Sequence, residues 1–154
     1  MVTPKRPPPA DVAAGSKLTV LTPKESWALL RQTALGRLAF VMDGWPLVMP
    51  VNYLVDGVDV VIRSDPGRKL TAARQQVQAT LQVDSVDRVH RSGWSVLVFG
   101  IATAVDDSEE IARLDGLGLR SWAASERASW IRLRPVQITG RRLPRAWSYP
   151  DPIR

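Results

Sequence analysis

Residues 38–63 read LAFVMDGWPLVMPVNYLVDGVDVVIR, and this stretch decides the fold. The apolar run Leu38–Met42 favours a strand, and Asp43-Gly44 directly after it is a strong signal for a two-residue hairpin turn. A second turn signal follows at Asp56-Gly57. The turn chemistry therefore predicts a meander of three antiparallel strands. These strands are expected at residues 38–42, 45–55 and 58–63.

On both sides of this meander the chain alternates between short helices and further strands. Before it, Thr22 and Glu25 form a capping-box pattern that predicts a helix, which we expect to end at Gly36. Further helices are predicted at residues 68–75 and 108–114, and further strands at residues 77–83, 94–105 and 130–139. Six strands with short helices predict a mainly β (α+β) protein, a split β-barrel with capping helices rather than a doubly wound parallel sheet.

The length of 154 residues fits one domain, which we place at residues 17–142. Residues 1–16 are rich in proline and are predicted to be a disordered tail, and residues 143–154 a C-terminal tail. The N-terminus lacks the apolar stretch of a signal peptide, and no apolar run reaches the ~18 residues that span a bilayer. We therefore expect a cytoplasmic protein that does not insert into membranes.

Composition excludes several kinds of chemistry. The chain has no cysteine and a single histidine, His90, so thiolate and multi-histidine metal sites are excluded and no metal is expected. The net charge of +6 indicates an anionic partner, which could be a nucleic acid, a membrane surface or a phosphorylated small molecule. Because the basic residues are spread along the chain, nucleic acid is disfavoured. A C-terminal basic group is either a solvated face or a contact to an anionic cofactor across a dimer: Arg132, Arg134, Arg141, Arg142 and Arg145.

The segment Arg63-Ser64-Asp65-Pro66-Gly67-Arg68-Lys69-Leu70 is the strongest candidate for a binding site. A strand runs into a glycine turn and then a helix, whose first amides carry partial positive charge. Arg68 and Lys69 occupy the first turn, where acidic residues are normally favoured. An anion bound there would make these cations favourable, since amides, guanidinium and ammonium would converge on one phosphate. The alternative is that both side chains extend into solvent.

Proline and tryptophan give two further hints. Pro50 cannot donate a ladder hydrogen bond, so it implies an edge, a bulge or a ligand in place of a neighbouring strand. The backbone near Val51 and Asn52 could then bind the polar rim of a flat heterocycle. Trp94 could line a pocket or belong to the core. Three more tryptophans could line a pocket or a dimer contact: Trp122, Trp130 and Trp147.

In this order and spacing, the features resemble the pyridoxamine 5′-phosphate oxidase-like flavoprotein superfamily, in particular its small actinobacterial and nitroimidazole-resistance-type members. The resemblance covers roughly residues 20–142. The segments that carry it are Leu35–Phe40, Pro50–Tyr53, Gly67–Leu70, Gly93–Val96 and Thr139–Arg142.

The resemblance implies a homodimer with cofactor sites at the subunit interface. By similarity, Arg68 and Lys69 hold the cofactor phosphate, with Arg63 and Ser64 near the ribityl chain. The backbone of Pro50–Tyr53 lies along the isoalloxazine, and Trp94 and Ser95 flank it. Trp130 and Arg132 reach in from the other subunit. The cofactor-binding residues so expected are Pro50, Val51, Asn52, Tyr53, Arg63, Ser64, Gly67, Arg68, Lys69, Trp94, Ser95, Trp130 and Arg132.

The function so predicted is hydride transfer by an oxidoreductase that depends on FMN or a deazaflavin coenzyme. FAD and heme are alternative cofactors, the substrate is open, and no catalytic side chain is assigned. A non-catalytic flavin- or heme-binding protein and a basic nucleic-acid-binding barrel are the rival functions.

Overall fold

The computed structural model describes residues 6–7, 18–90, 92–119 and 128–143. Seven strands and three helices lie in these ranges. They are β1 (Thr19–Leu21), α1 (Pro23–Leu30), β2 (Leu35–Met42), β3 (Trp45–Asp56), β4 (Asp59–Ser64), α2 (Arg68–Arg74), β5 (Gln78–Asp87), β6 (Ser92–Val105), α3 (Ser108–Asp115) and β7 (Ser129–Leu143).

The sheet is antiparallel and closes into a ring. Its order is β1-β7-β4-β3-β2-β5-β6, and β6 pairs with β7 to close it. The ring itself consists of the six strands that the sequence predicts, so the barrel is confirmed. The predicted number of strands is wrong, because the three-residue β1 adds to the β7 edge beyond β4.

Most residues of the predicted tails lie outside the described ranges. Of residues 1–16 and 143–154, only Arg6, Pro7 and Leu143 are described. In the described ranges, no helix has the length and apolar character needed to cross a bilayer.

Alternation along the strands builds the barrel core. Most inward positions on the ring strands are apolar, and many of them are completely buried. They include Leu38, Tyr53, Ile62, Leu81, Val98 and Leu133. Helix α3 covers the outer face of β4 and β7 through a second apolar cluster of Val61, Leu114, Leu119 and Trp130.

Helix α1 begins as predicted but ends earlier. The side chain of Thr22 accepts a hydrogen bond from the amide of Glu25, whose carboxylate accepts from the Thr22 amide at 2.8 Å. The helix ends at Leu30, capped by Arg31, so the expectation that Gly36 ends it is wrong. Gly36 lies inside β2 and is buried against β5, where only a residue without a side chain fits.

Strand β3 has one half without a neighbour on its β4 side. Residues 52–56 pair with β4, whereas residues 45–51 pair only with β2 among the described strands. The Asp43-Gly44 turn makes Met42 and Trp45 a hydrogen-bonded pair, so alternation directs the backbone nitrogens of residues 46, 48 and 50 towards the open side. The edge predicted from Pro50 is confirmed.

Replacing Gly36 with alanine is expected to destabilise the fold by about 1–3 kcal/mol, because the new methyl group overpacks the β2–β5 contact. A Cβ at this position would lie 2.9 Å from Cδ1 of Leu81 and 3.0 Å from the carbonyl oxygen of Gln82. Urea unfolding measures the change. The control Val58→Thr, in an exposed turn, is expected to stay within about 0.5 kcal/mol of wild type. Equal stability of the Gly36 variant and wild type would contradict the described packing.

Candidate functional site

Three predicted site residues lie side by side next to the open half of β3. Asn52, Arg63 and Trp130 occupy one row across β3, β4 and β7. Asn52 is 9% exposed, and its side-chain amide donates to the carbonyl of Ala34 at 3.3 Å. The row thus places a fixed amide and a cation where β4 ends and the open edge begins.

Arg63 is held by a carboxylate and an aromatic ring. Its Nη1 donates to Oδ1 of Asp115 at 2.8 Å, and its Cζ lies 5.3 Å from the ring centroid of Trp130. Nε1 of Trp130 donates to the same carboxylate oxygen, also at 2.8 Å. The Arg63 side chain keeps 24% of its surface exposed, so one part of the guanidinium is fixed and another faces outward.

Helix α2 follows the row directly and starts with two cations. Gly67 is its N-cap, and no side chain caps the helix there. Arg68 is exposed and Lys69 half-buried, and neither forms an ion pair with any residue of the described ranges. The first turn therefore has the unpaired positive charge that the sequence indicated.

Other predicted site residues turn into the barrel. Val51 and Ser64 are buried, and the Ser64 hydroxyl donates to the carbonyl of Asp65. The Tyr53 hydroxyl donates to the carbonyl of Leu30 at 2.9 Å and lies 2.5 Å from the hydroxyl of Thr33. Burial raises the pKa of Tyr53. These side chains belong to the core, and the backbone amides of Val51 and Tyr53 are directed to β2 and not to the open edge.

Trp94 and Ser95 lie elsewhere in the chain. Both are on β6, and strands β5 and β2 separate β6 from β3, a span of about 14 Å at the usual strand spacing. Trp94 lines a separate depression of about 420 Å³ with Asp87 and Arg142. Within one chain, the structure does not bring these two residues to Arg63.

Arg132 binds three carboxylates of its own chain. Its guanidinium donates to Asp59 at 2.8 Å, to Asp56 at 3.2 Å and to Glu110. Arg113 joins the same group through Asp56 and Glu110. These ion pairs hold α3 against the β3–β4 hairpin.

Trp122, Arg145 and Trp147 lie outside the described residues.

Asp115 is the residue that sequence reasoning missed. It lies 52 positions after Arg63 in the chain and is the last residue of α3. A carboxylate at a helix C-terminus is unfavourable by several tenths of a kcal/mol, since the helix dipole is negative there. That misplaced charge is the signal that could have revealed it, by the same logic that drew attention to Arg68 and Lys69.

A groove of about 430 Å³ crosses the outer face of β2, β3, β5 and β6. We call it the outer groove; its apolar lining includes Val41, Pro46, Val48, Phe99 and Ile101, and Arg6 and Pro7 also line it. Val41 and Val48 are 60% and 62% exposed. Unlike the face under α3, this face of the barrel is apolar, and no helix of the described residues lines the groove.

A closed antiparallel barrel, split along one strand and flanked by short helices, defines the split β-barrel class. Within that class, the chain belongs to the pyridoxamine 5′-phosphate oxidase family, whose model matches residues 22–142.

Three individual proteins illustrate the similarity. An uncharacterised protein of Mycobacterium tuberculosis is 30% identical over 139 residues, which cover 87% of this chain and 91% of that protein. The solved FAD-binding protein of Mycobacterium smegmatis is 34% identical with a TM-score of 0.69, covering 82% of this chain and all of that one. A Corynebacterium glutamicum structure assigned to the pyridoxamine 5′-phosphate oxidases is 29% identical with a TM-score of 0.73, covering 82% and 98%.

The ion pairs around Arg132 predict acid sensitivity. Hydrogen bonds from Arg113 and then Arg132 lower the pKa of Asp56 in the folded protein. A lowered folded-state pKa stabilises the fold above the unfolded pKa, and this contribution is lost as the pH falls through the folded value. Asp56→Asn should therefore lower Tm near neutral pH, and the difference from wild type should shrink below about pH 4.

Scanning calorimetry across this pH range measures that difference. Asp43→Asn is the control, since Asp43 lies in an exposed turn and forms no ion pair within the described part of the chain. A Tm difference for Asp56→Asn that stays constant with pH would contradict the prediction.

Proposed function

We propose that the chain binds a flavin at the open edge of β3 and acts as a flavin-dependent oxidoreductase. The observation that carries the proposal is the run of cations that follows β3 along the chain: Arg63 at the end of β4, and then Arg68 and Lys69 in the uncapped first turn of α2. Cations at a helix start are unfavourable unless an anion joins them. The flavin monophosphate tail provides such an anion.

Family membership supports the flavin. The Mycobacterium smegmatis relative that binds FAD shares 34% of its residues with this chain and aligns over its whole length. In the proposed site, Arg68 and Lys69 hold the phosphate, and Arg63 lies at the ribityl chain. Pro50 and Asn52 border the isoalloxazine ring.

The site supplies binding and orientation, and a bound flavin would supply the hydride chemistry. Asn52 offers a fixed amide beside the ring, and the apolar strand faces next to it exclude water. The buried Tyr53 hydroxyl is engaged with Leu30 and Thr33, so it is not proposed as an acid or base. This arrangement suits hydride transfer better than hydrolysis.

Titrating the purified protein in parallel with FMN, FAD, the deazaflavin coenzyme and hemin tests the cofactor class. We expect FMN to bind, with quenching of flavin fluorescence, and reduction by NAD(P)H to bleach its visible band. Binding without reduction would favour a non-catalytic flavin carrier. Binding of hemin alone would contradict the flavin proposal.

Removing the two cations of α2 is expected to weaken FMN binding strongly. Charge-assisted contacts contribute ~1.5–3 kcal/mol each, so the double variant Arg68→Ala/Lys69→Ala should lose a few kcal/mol, on the order of a hundredfold or more in Kd. Fluorescence titration measures the loss. The control is Arg74→Ala, which removes an exposed cation from the last turn of the same helix and should change Kd less than about twofold. Unchanged affinity in the double variant would place the phosphate elsewhere.

We further propose that the protein is a homodimer with the outer groove at its interface. The groove face is apolar and exposes Val41 and Val48, as expected of a surface buried against a second subunit. In such a dimer, Trp94 and Ser95 would reach the flavin from the partner subunit, because within one chain they lie far from Arg63. This arrangement explains how residues that lie far apart in one chain can serve one site.

Val48→Glu is expected to shift the protein from dimer to monomer, because a carboxylate cannot be buried in an apolar interface without a partner. Analytical ultracentrifugation measures the molar mass in solution and so distinguishes dimer from monomer. Val58→Glu, at an even more exposed position in the turn between β3 and β4, serves as the control and should remain dimeric. A monomeric wild type, or a dimeric Val48→Glu protein, would remove this part of the proposal.

A further inference from the structure

Asp115 connects two residues of the candidate site that belong to different strands. One of its carboxylate oxygens, Oδ1, accepts from Nη1 of Arg63 and from Nε1 of Trp130, both at 2.8 Å. Trp130 is 1% exposed, so its indole is fixed by the surrounding core and in turn fixes the carboxylate. A carboxylate held in this way restrains the guanidinium far more than a free surface acid would.

The Trp130 ring restrains Arg63 a second time. The guanidinium carbon lies 5.3 Å from the ring centroid, within the range of a cation–π contact. The ion pair fixes one nitrogen and the ring fixes one face. Together they leave the guanidinium with a single preferred orientation.

Arg63 nevertheless retains donors for another acceptor. A guanidinium has five N–H groups, and within the described residues only Nη1 of Arg63 is hydrogen-bonded. Arg132 is the opposite case, since it lies on the same face of β7 as Trp130 but donates to three carboxylates. Arg132 therefore has three carboxylate partners, whereas Arg63 has one and keeps more of its N–H groups for another acceptor.

We propose that Asp115 is a positioning residue that orients Arg63 towards the point where the ribityl chain of the flavin joins its phosphate. This inference rests on the flavin site proposed above. Asp115 acts through Arg63 and does not touch the ligand. Its charge is unfavourable at the end of α3, and its contacts to Arg63 and Trp130 offset that cost.

Asp115→Asn tests the inference, because the amide oxygen can still accept from Trp130 while the negative charge on Arg63 is lost. We expect the Kd for FMN to rise about tenfold, as for loss of a charge-assisted contact, and the Kd for riboflavin, which has no phosphate, to change less than twofold. In an Arg63→Gln background, Asp115→Asn should have no further effect on FMN binding. The control Asp59→Asn removes a comparable carboxylate from Arg132 and should leave the FMN-to-riboflavin ratio unchanged.

The outcomes separate this inference from the proposed function. If wild type binds neither flavin, the proposed function fails. If wild type prefers FMN to riboflavin but Asp115→Asn keeps the same preference, or strengthens FMN binding, only the positioning role is overturned. If Asp115→Asn does not fold, Trp130→Phe removes one of the two hydrogen bonds to the carboxylate and should reduce the same preference; an unchanged preference there also overturns the inference.

Discussion

The long antiparallel contact between β6 and β7 is the interaction on which the closed sheet depends. Strand β7 pairs with β6 from Trp130 to Leu143 and, on its other edge, with β4 and then β1. One strand therefore closes the ring, carries Trp130 into the site row and holds the N-terminal strand. The register shifts by one residue opposite Gly100, where Pro135 and Val136 follow each other and the backbones approach closely. This bulge lets a strand of such length follow the curvature of a barrel.

The two sides of the barrel differ in what covers them. Over β4 and β7, helix α3 is anchored by Leu114 in an apolar cluster and by Arg113 and Arg132 in an ionic one. Over β2, β3, β5 and β6, the apolar face is open. The candidate site lies where the covered side meets the open edge. A ligand there would contact rigid, buried elements through Asn52 and Arg63 while still being reachable from solvent.

Local signals predicted much of the fold. The turn at Asp43-Gly44 and the Thr22–Glu25 cap depend on residues a few positions apart, so the sequence reveals them directly. The prediction that Gly36 ends α1 is wrong because glycine is required there by the close approach of β5, which lies more than forty residues further along the chain. The same limit applies to the site. The cations of α2 break a local rule and are visible in the sequence, but the partners of Arg63 and Arg132 are set by how α3 packs, which no short-range pattern encodes.

The proline spacing in β3 has a consequence for how the protein behaves in a crowded solution. The unpaired edge of β3 that could face a ligand is also an edge on which a foreign chain could pair and extend the sheet. Of the backbone nitrogens directed to that side at positions 46, 48 and 50, two belong to Pro46 and Pro50 and carry no hydrogen. An incoming strand would find one donor there, the amide of Val48, in place of three, so the open edge is a poor template for aggregation.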